Sequence, residues 1–361
     1  MDAGLGHRLS ARPPRRIAIV QTAFLGDTVF TSGLVAGVRK RFPEATVDLC
    51  VAPRGRDVAE ATEGVSAVFL FDKNGADRGP LGLLRAARRL AVGAHDLAIL
   101  PHRTLRSGLY ARLAGIPERV GFEGTPAGYF CTSRAPDEGL TFLEREAGLV
   151  RFLGGQPQPM HLRPTASQLA RADEALERLG LKGRRFAVLC PGSEWETKMW
   201  PAGRYAELAA ALHSRGLATL LLGSPKEVPL AESIRAAAAV PTYSAAGNPV
   251  GESLGMIARS ALAVGGDSGL LHAARALDVA TVILFGPTTP EAHSFGPRQS
   301  ALSLRLDCSP CSDHGQRRCP LGHHRCLRDL GVESVVAAAE AVLIQVSPGV
   351  ARGTPGSGSP T

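Results

Sequence analysis

Apolar residues along the chain come in short solid runs, and the stretches between the runs carry them at helical spacing. In the first half the runs are RIAIV (16–20), TVDLCV (46–51), AVFLF (67–71) and DLAIL (96–100). Each is too short for a stable helix and almost unbroken, which predicts buried strands. Stretches such as LLRAARRLA (83–91) lie between them and predict helices. Strand and helix in alternation imply a mostly parallel sheet covered by helices.

The pattern breaks between 157 and 185. Pro157, Pro159 and Pro164 punctuate the chain, QLARADEALERLGL (168–181) reads as a helix, and RFAVLC (185–190) starts a new strand. A second alternating series follows in ATLLLG (218–223), LAVGG (262–266) and TVILFG (281–286). The expected fold class is α/β, with two similar halves over 15–165 and 166–346. Residues 1–14 and 347–361, rich in Pro, Gly, Ser and Arg, read as flexible tails. Ligands in such sheets bind beyond the carboxyl ends of the strands, so chemistry is expected in the loops that follow them.

The length of 361 residues supports two domains, since one core rarely grows so large. No apolar run approaches the roughly 18 residues of a membrane span, and MDAGLGHRLSARPPRR lacks the apolar core of a secretory signal. A cytoplasmic protein is expected. Net charge of +8 suits an anionic partner, but with few aromatics and no nucleic-acid-binding signature, nucleic acid is not expected as that partner.

In the second half, LAVGGDSGLLHAARAL (262–277) runs from a strand through two glycines into a helix. A helix start offers free N–H groups and a positive dipole end, so Gly266, Asp267, Ser268 and Gly269, with His272 just beyond, form a candidate phosphate site. A plain helix cap by Asp267 or Ser268 is the simpler alternative, but it does not account for the flanking glycines. The loop PGSEWETKMWP (191–201) adds Ser193 and Lys198, the lysine as a point charge for a diphosphate or a plain solvated surface lysine, with Trp195 and Trp200 favouring a packed loop. Glu227, after the strand ATLLLG, suits ribose hydroxyls or a helix dipole equally well.

The first strand leads into QTAFLGDTVFTSGL (21–34), with one glycine and then Asp27 where a phosphate loop would be expected. Asp27 reads equally as a helix cap or as a general base facing the cleft. Arg54, Arg56, Arg103 and Arg106 gather in the first half, the latter two after the strand DLAIL. They suit carboxylates or phosphates, or are ordinary exposed charges, with those after strand ends having the better claim. Near the C-terminus, Cys308, Cys311, Cys319 and Cys326 are interleaved with His314, His323 and His324. Four thiolates, or three and an imidazole, make a tetrahedral zinc site in other proteins, but this spacing lies outside the common fingers and favours a free-thiol loop.

These strings together resemble the ADP-heptose:lipopolysaccharide heptosyltransferases, glycosyltransferase family 9, and most of all its heptosyltransferase II branch. The resemblance rests on QTAFLGDTVFTSGL, RSGLYARLAGIPERVGF (106–122), PGSEWETKMWP, GGDSGLLHAARALDVATVILFGPTTP (265–290) and CSPCSDHGQRRCPLGHHRCL, and spans about residues 16–345. It implies a GT-B fold, two Rossmann-like domains with the active site between them. It implies inverting transfer of heptose from ADP-heptose to the lipopolysaccharide inner core, with no cofactor required. Asp27 then matches the family's base, and Ser193, Lys198, Asp267, Ser268 and Gly269 its phosphate contacts. His272 matches the histidine of the same helix, while Glu227 and Asn248 fall near the ribose and adenine. The Asp267 side chain is expected to turn inward, leaving backbone N–H groups for the anion. The arginines of the first half would hold the acceptor, a lipid A-Kdo core with or without one heptose. Peripheral attachment to the cytoplasmic face of the inner membrane follows from an amphiphilic acceptor. Rival readings are another nucleotide-sugar donor or acceptor, or a non-catalytic nucleotide-sugar-binding protein. A Rossmann dehydrogenase is disfavoured because G-x-G-x-x-G is missing after the first strand.

Overall fold

The computed structural model describes residues 3–139 and 141–344. The apolar runs form strands: β1 (Arg16–Gln21), β2 (Thr46–Val51), β3 (Val65–Leu70) and β4 (Leu97–Ile99). Two strands without an apolar signature, β5 (Glu118–Phe122) and β6 (Ser133–Ala135), complete a six-stranded sheet. The second half repeats the scheme with β7 (Phe186–Cys190), β8 (Ala218–Leu221), β9 (Thr242–Ser244), β10 (Leu262–Gly266), β11 (Ala280–Leu284) and β12 (Gln299–Leu302).

All pairings within both sheets are parallel, with Arg16 opposite Thr46 and Leu262 opposite Ala187. The orders are β3-β2-β1-β4-β5-β6 and β12-β11-β10-β7-β8-β9. In each sheet the chain winds outward from its first strand, returns, and winds the other way. The switch points therefore lie between β1 and β4 and between β7 and β10, where a crevice opens at the strands' carboxyl ends. The central strands are buried along nearly their whole length, and helices cover both faces.

The expected N-terminal tail is instead a helix, Ala3–Ala11. Leu5 and Leu9, one turn apart, are buried against a core that includes Ile17, Val38 and Phe42. Apolar burial at i and i+4 outweighs the polar composition of the segment. The expected tail 347–361 lies outside the described residues.

After the helix Phe142–Phe152 the chain crosses from one sheet to the other and bonds to both halves. The Leu162 N–H donates to the Ala276 carbonyl at 2.9 Å, and the Arg163 N–H to the Ala61 carbonyl at 2.7 Å. Leu162 joins Val29, Val58, Ala61, Leu254, Ala273 and Ala276 in an apolar cluster on the seam. Asp57 of the first half caps the helix Val250–Arg259 of the second, accepting from the Gly251 N–H at 2.8 Å. At one end of this seam the helix Leu25–Arg41 meets the helix Gly269–Ala276: a Cβ on Gly269 would come within 3.1 Å of the Gly26 nitrogen. Glycine at 269 eases this close approach, since a Cβ there would press on the backbone of the other helix's first turn.

Candidate active site

The helix Leu25–Arg41 begins after Phe24, whose side chain offers no acceptor. Asp27, in the third helical position, reaches back instead, and its Oδ2 accepts from the Phe24 N–H at 2.9 Å. Asp27 is thus not the N-cap residue itself, though one of its oxygens serves the helix start. The side chain is largely buried. Burial pushes its pKa up, against the pull of the Phe24 N–H and the charges of His314 and Lys198. A buried carboxylate with a raised pKa is a better proton acceptor than a free one.

Two of the four arginines gather around Lys73, whose charge Asp27 feels. Arg54 lies over the Phe24 ring, 5.3 Å from its centroid, and Arg106 donates to the Lys73 carbonyl at 3.1 Å. Lys73 has its pKa lowered by burial and by the charges of Arg54 and Arg106, with Asp27 acting in the opposite sense. Three cations crowded together, with Asp27 acting on one of them, favour an anionic guest. The other two arginines are engaged elsewhere: Arg56 pairs with Glu60 at 2.8 Å, and Arg103 with Asp137 at 2.8 Å. His102, after β4, accepts or donates at Nδ1 with Thr22 and Ser107, both at 2.9 Å, and burial lowers its pKa to about 4. It is neutral at physiological pH.

Across the seam, β10 delivers Asp267. Its carboxylate is turned inward and is held by three groups: Lys198 Nζ at 2.6 Å, Thr288 Oγ1 at 2.9 Å and His272 Nε2 at 2.9 Å. Burial opposes its ionisation, but the His272 hydrogen bond and the Lys198 charge outweigh that and hold its carboxyl well below the usual range. Arg275 donates to His272 Nδ1 at 3.1 Å, which fixes the proton of the neutral imidazole on Nε2, facing Asp267. Burial keeps His272 neutral by lowering its pKa.

Ser268 occupies the cap position of the helix Gly269–Ala276, yet its side chain makes no capping bond. The capping alternative therefore fails for both candidates, and the first N–H groups of that helix are left for a ligand. Lys198 has three N–H donors and gives one to Asp267, so two remain for a phosphate. Gly266 is required here because a Cβ would strike the Lys198 carbonyl at 2.3 Å. Ser193 stands in the same loop, its Oγ accepting from the Trp195 N–H at 3.3 Å.

Glu227 lies over the ends of β7 and β8, where a Cβ on Gly192 would overlap its carboxylate. It also accepts from the Ser224 N–H, so it closes the turn and borders the Ser193 loop at once. Asn248, further along the same edge, donates to Glu252 at 2.8 Å.

The cysteine motif forms a wall of the site. Thr197, beside Lys198, donates to the Gln316 carbonyl at 2.7 Å and accepts from the Gln316 N–H at 2.8 Å, while His324 bonds the Thr197 carbonyl at 2.8 Å. Gly315, at φ +92°, lies so close to Trp195 that a Cβ would meet the Trp195 side chain at 2.8 Å. The four motif sulfurs are free thiols and do not gather into a metal-sized shell among the described residues; Cys308 Sγ is 3.9 Å from His323 Nε2. The one cluster of that size among the described residues is Asp267, His272 and His293. Lys198 and Arg275 already place their charges on it.

Sequence reasoning missed Lys73, Thr288 and His293. Lys73 sits in a turn after an edge strand, with no glycine signature. His293 is packed between Phe30, Phe285 and His272, with ring centroids 5.7, 5.6 and 4.7 Å away, and follows no recognisable motif.

The model of the family described as glycosyltransferase family 9 (heptosyltransferase) matches residues 83–321. The chain belongs to glycosyltransferase family 9. Lipopolysaccharide heptosyltransferase 2 of Escherichia coli is 27% identical over 91% of this chain and 99% of its own. Lipopolysaccharide heptosyltransferase 1 of Pseudomonas aeruginosa is 28% identical over 82% of this chain and 86% of its own. Among solved structures, a family 9 glycosyltransferase from Veillonella parvula superposes with a TM-score of 0.82 at 21% identity, covering 92% of this chain and 98% of that one. E. coli ADP-heptose lipopolysaccharide heptosyltransferase II superposes with a TM-score of 0.73 at 23% identity, over 91% and 99%. This family 9 chain accordingly has the GT-B architecture its sequence implied, and it is a glycosyltransferase. The family match begins at residue 83, so the part played by Asp27 rests on its surroundings.

Proposed function

We propose that this family 9 enzyme moves heptose from ADP-heptose to the inner core of lipopolysaccharide, with inversion and with Asp27 as the base. The single observation that supports this most is the pairing of two helix starts across the seam. One carries the buried Asp27; the other carries open N–H groups beside Lys198. The acceptor hydroxyl attacks the anomeric carbon from the Asp27 side and passes its proton to that carboxylate. The bond from the anomeric carbon to the diphosphate oxygen breaks, and ADP leaves with its charge held by Lys198 and the helix start. Ser193 and Gly266 border the diphosphate, and Glu227 and Asn248 the nucleoside. Lys73, Arg54 and Arg106 take the acidic groups of the core sugars, and Arg103 supports their loop through Asp137.

The acceptor is an amphiphile, and no described helix is long and apolar enough to cross a membrane. We infer peripheral attachment to the cytoplasmic face of the inner membrane. Exposed Leu81, Leu105, Leu113 and Tyr129 and the basic Arg85, Arg88 and Arg112 lie on neighbouring elements of the acceptor half.

The test is product mass after incubation with ADP-heptose and either a heptose-free or a mono-heptosylated core. Addition of one heptose to the mono-heptosylated core alone supports the second-heptose role. Addition to the heptose-free core assigns the first transfer instead. No product with either core, alongside turnover of a UDP- or GDP-sugar, overturns the donor.

A further inference from the structure

Glu146, on the helix Phe142–Phe152, is buried behind the catalytic helix and is assigned no part in the transfer described above. From the helix Leu25–Arg41 it faces Thr31 and Asp27, and from β1 it faces Gln21. Among the described residues no cation pairs with it. One of its oxygens, Oε2, has no hydrogen-bond partner, and neither does the equally buried Oε1 of Gln21. A bare carboxylate in such a place is costly.

Counting hydrogens at Thr31 resolves its charge. Thr31 Oγ1 lies 2.9 Å from the Asp27 carbonyl and 2.8 Å from Glu146 Oε1, and it accepts from Gln21 Nε2 at 3.3 Å. The hydroxyl has one hydrogen, and an ionised Glu146 and the Asp27 carbonyl would both compete for it. A proton on Glu146 Oε1 satisfies every contact of the Thr31 hydroxyl. Glu146 then donates to Thr31, and Thr31 donates to the carbonyl of Asp27. Burial, with the Asp27 charge nearby, pushes the Glu146 carboxyl up to about 8, in keeping with that count.

We propose that Glu146 is a positioning residue for the base: held as a neutral acid, it bonds through Thr31 to the Asp27 carbonyl and fixes the helical turn on which the Asp27 carboxylate rests. Because it is neutral, it adds no second negative charge beside a carboxylate that must itself be ionised to work. The inference rests on the reading of Asp27 as the base.

Two measurements test it. The first is the infrared difference between the natural full-length chain and Glu146→Gln at neutral pH. The carbonyl stretch of a protonated carboxylic acid should be present in the natural chain and missing in the variant. A difference spectrum showing only an ionised carboxylate overturns the proposal. The second is steady-state transfer. Glu146→Leu and Thr31→Val should each lower kcat by about tenfold, with the KM for ADP-heptose held within about twofold, since the grip on ADP lies on the other half. Glu146→Gln should recover most of the loss, and Glu146→Leu combined with Thr31→Val should be little worse than either alone. If Glu146→Leu does not fold, Thr31→Val and Glu146→Gln carry the test. Natural kcat in Thr31→Val, or a loss that appears wholly in KM, overturns it. If Asp27→Asn is inactive while these variants turn over normally, this inference alone fails; if Asp27→Asn retains activity, the assignment of the base fails with it.

Discussion

Lys198 is the residue on which most of the site's charge depends. It joins the Asp267 network at 2.6 Å, yet keeps two donors for a ligand, and it acts on Asp27 across the seam. Replacing it by Gln should lower kcat by about 10²- to 10³-fold, the range seen when one preorganised donor to a developing anion is removed. The measurement is steady-state transfer, and a loss confined to KM would mean that Lys198 binds donor and transition state alike. Much at this scale was legible in the sequence, because Asp27, Ser193, Lys198 and Asp267 all follow strands where the topology opens a crevice. The inward turn of Asp267 was legible too, since a carboxylate facing a diphosphate would repel it. Lys73, Thr288, His293 and Glu146 were not. They reach the site from a turn, from loops beyond strands and from a helix remote in sequence, and only tertiary packing brings them there. Arg56 and Arg103 pair with Glu60 and Asp137, partners that strand-end position alone does not signal.

At the scale of elements, the apolar runs gave the central strands, and the strands missed were those without a solid apolar run. β5 is written ERVGF and β12 QSAL, and the one is half polar while the other is only partly buried along its length. The segment 308–326 was read for its thiols, but its local role is to lock the Lys198 loop through Thr197 and Gln316. Thr197→Val keeps the shape and removes both side-chain bonds; the Gln316 carbonyl keeps the Thr197 N–H at 3.2 Å, but the part-buried Gln316 N–H loses its partner. Unfolding in denaturant should show a loss of about 1–3 kcal/mol, accompanied by a rise in the KM for ADP-heptose. An unchanged KM would mean that the motif covers the loop without shaping it.

At the scale of the molecule, two copies of one winding topology face each other, and each half brings one function to the seam. The first half supplies a buried carboxylate with a raised pKa; the second supplies a helix start and a lysine, to which the proposed transfer gives the leaving group. Such a division makes turnover and nucleotide binding separable by mutation. Asp27→Asn is the variant to use, since its amide oxygen still accepts from the Phe24 N–H and the helix start is preserved. Its sign on stability is also defined. A carboxyl whose pKa is raised on folding loses stability as pH rises through that pKa, so the Asn variant should match the natural chain in acid and exceed it at neutral pH. The decisive measurement pairs the rate of heptose transfer by Asp27→Asn with its affinity for ADP by calorimetry. The expected result is a fall in kcat of about 10²-fold or more with ADP affinity unchanged. Transfer at the natural rate, or an ADP affinity that falls in step with the rate, would contradict the assignment of the base to one half and the leaving group to the other.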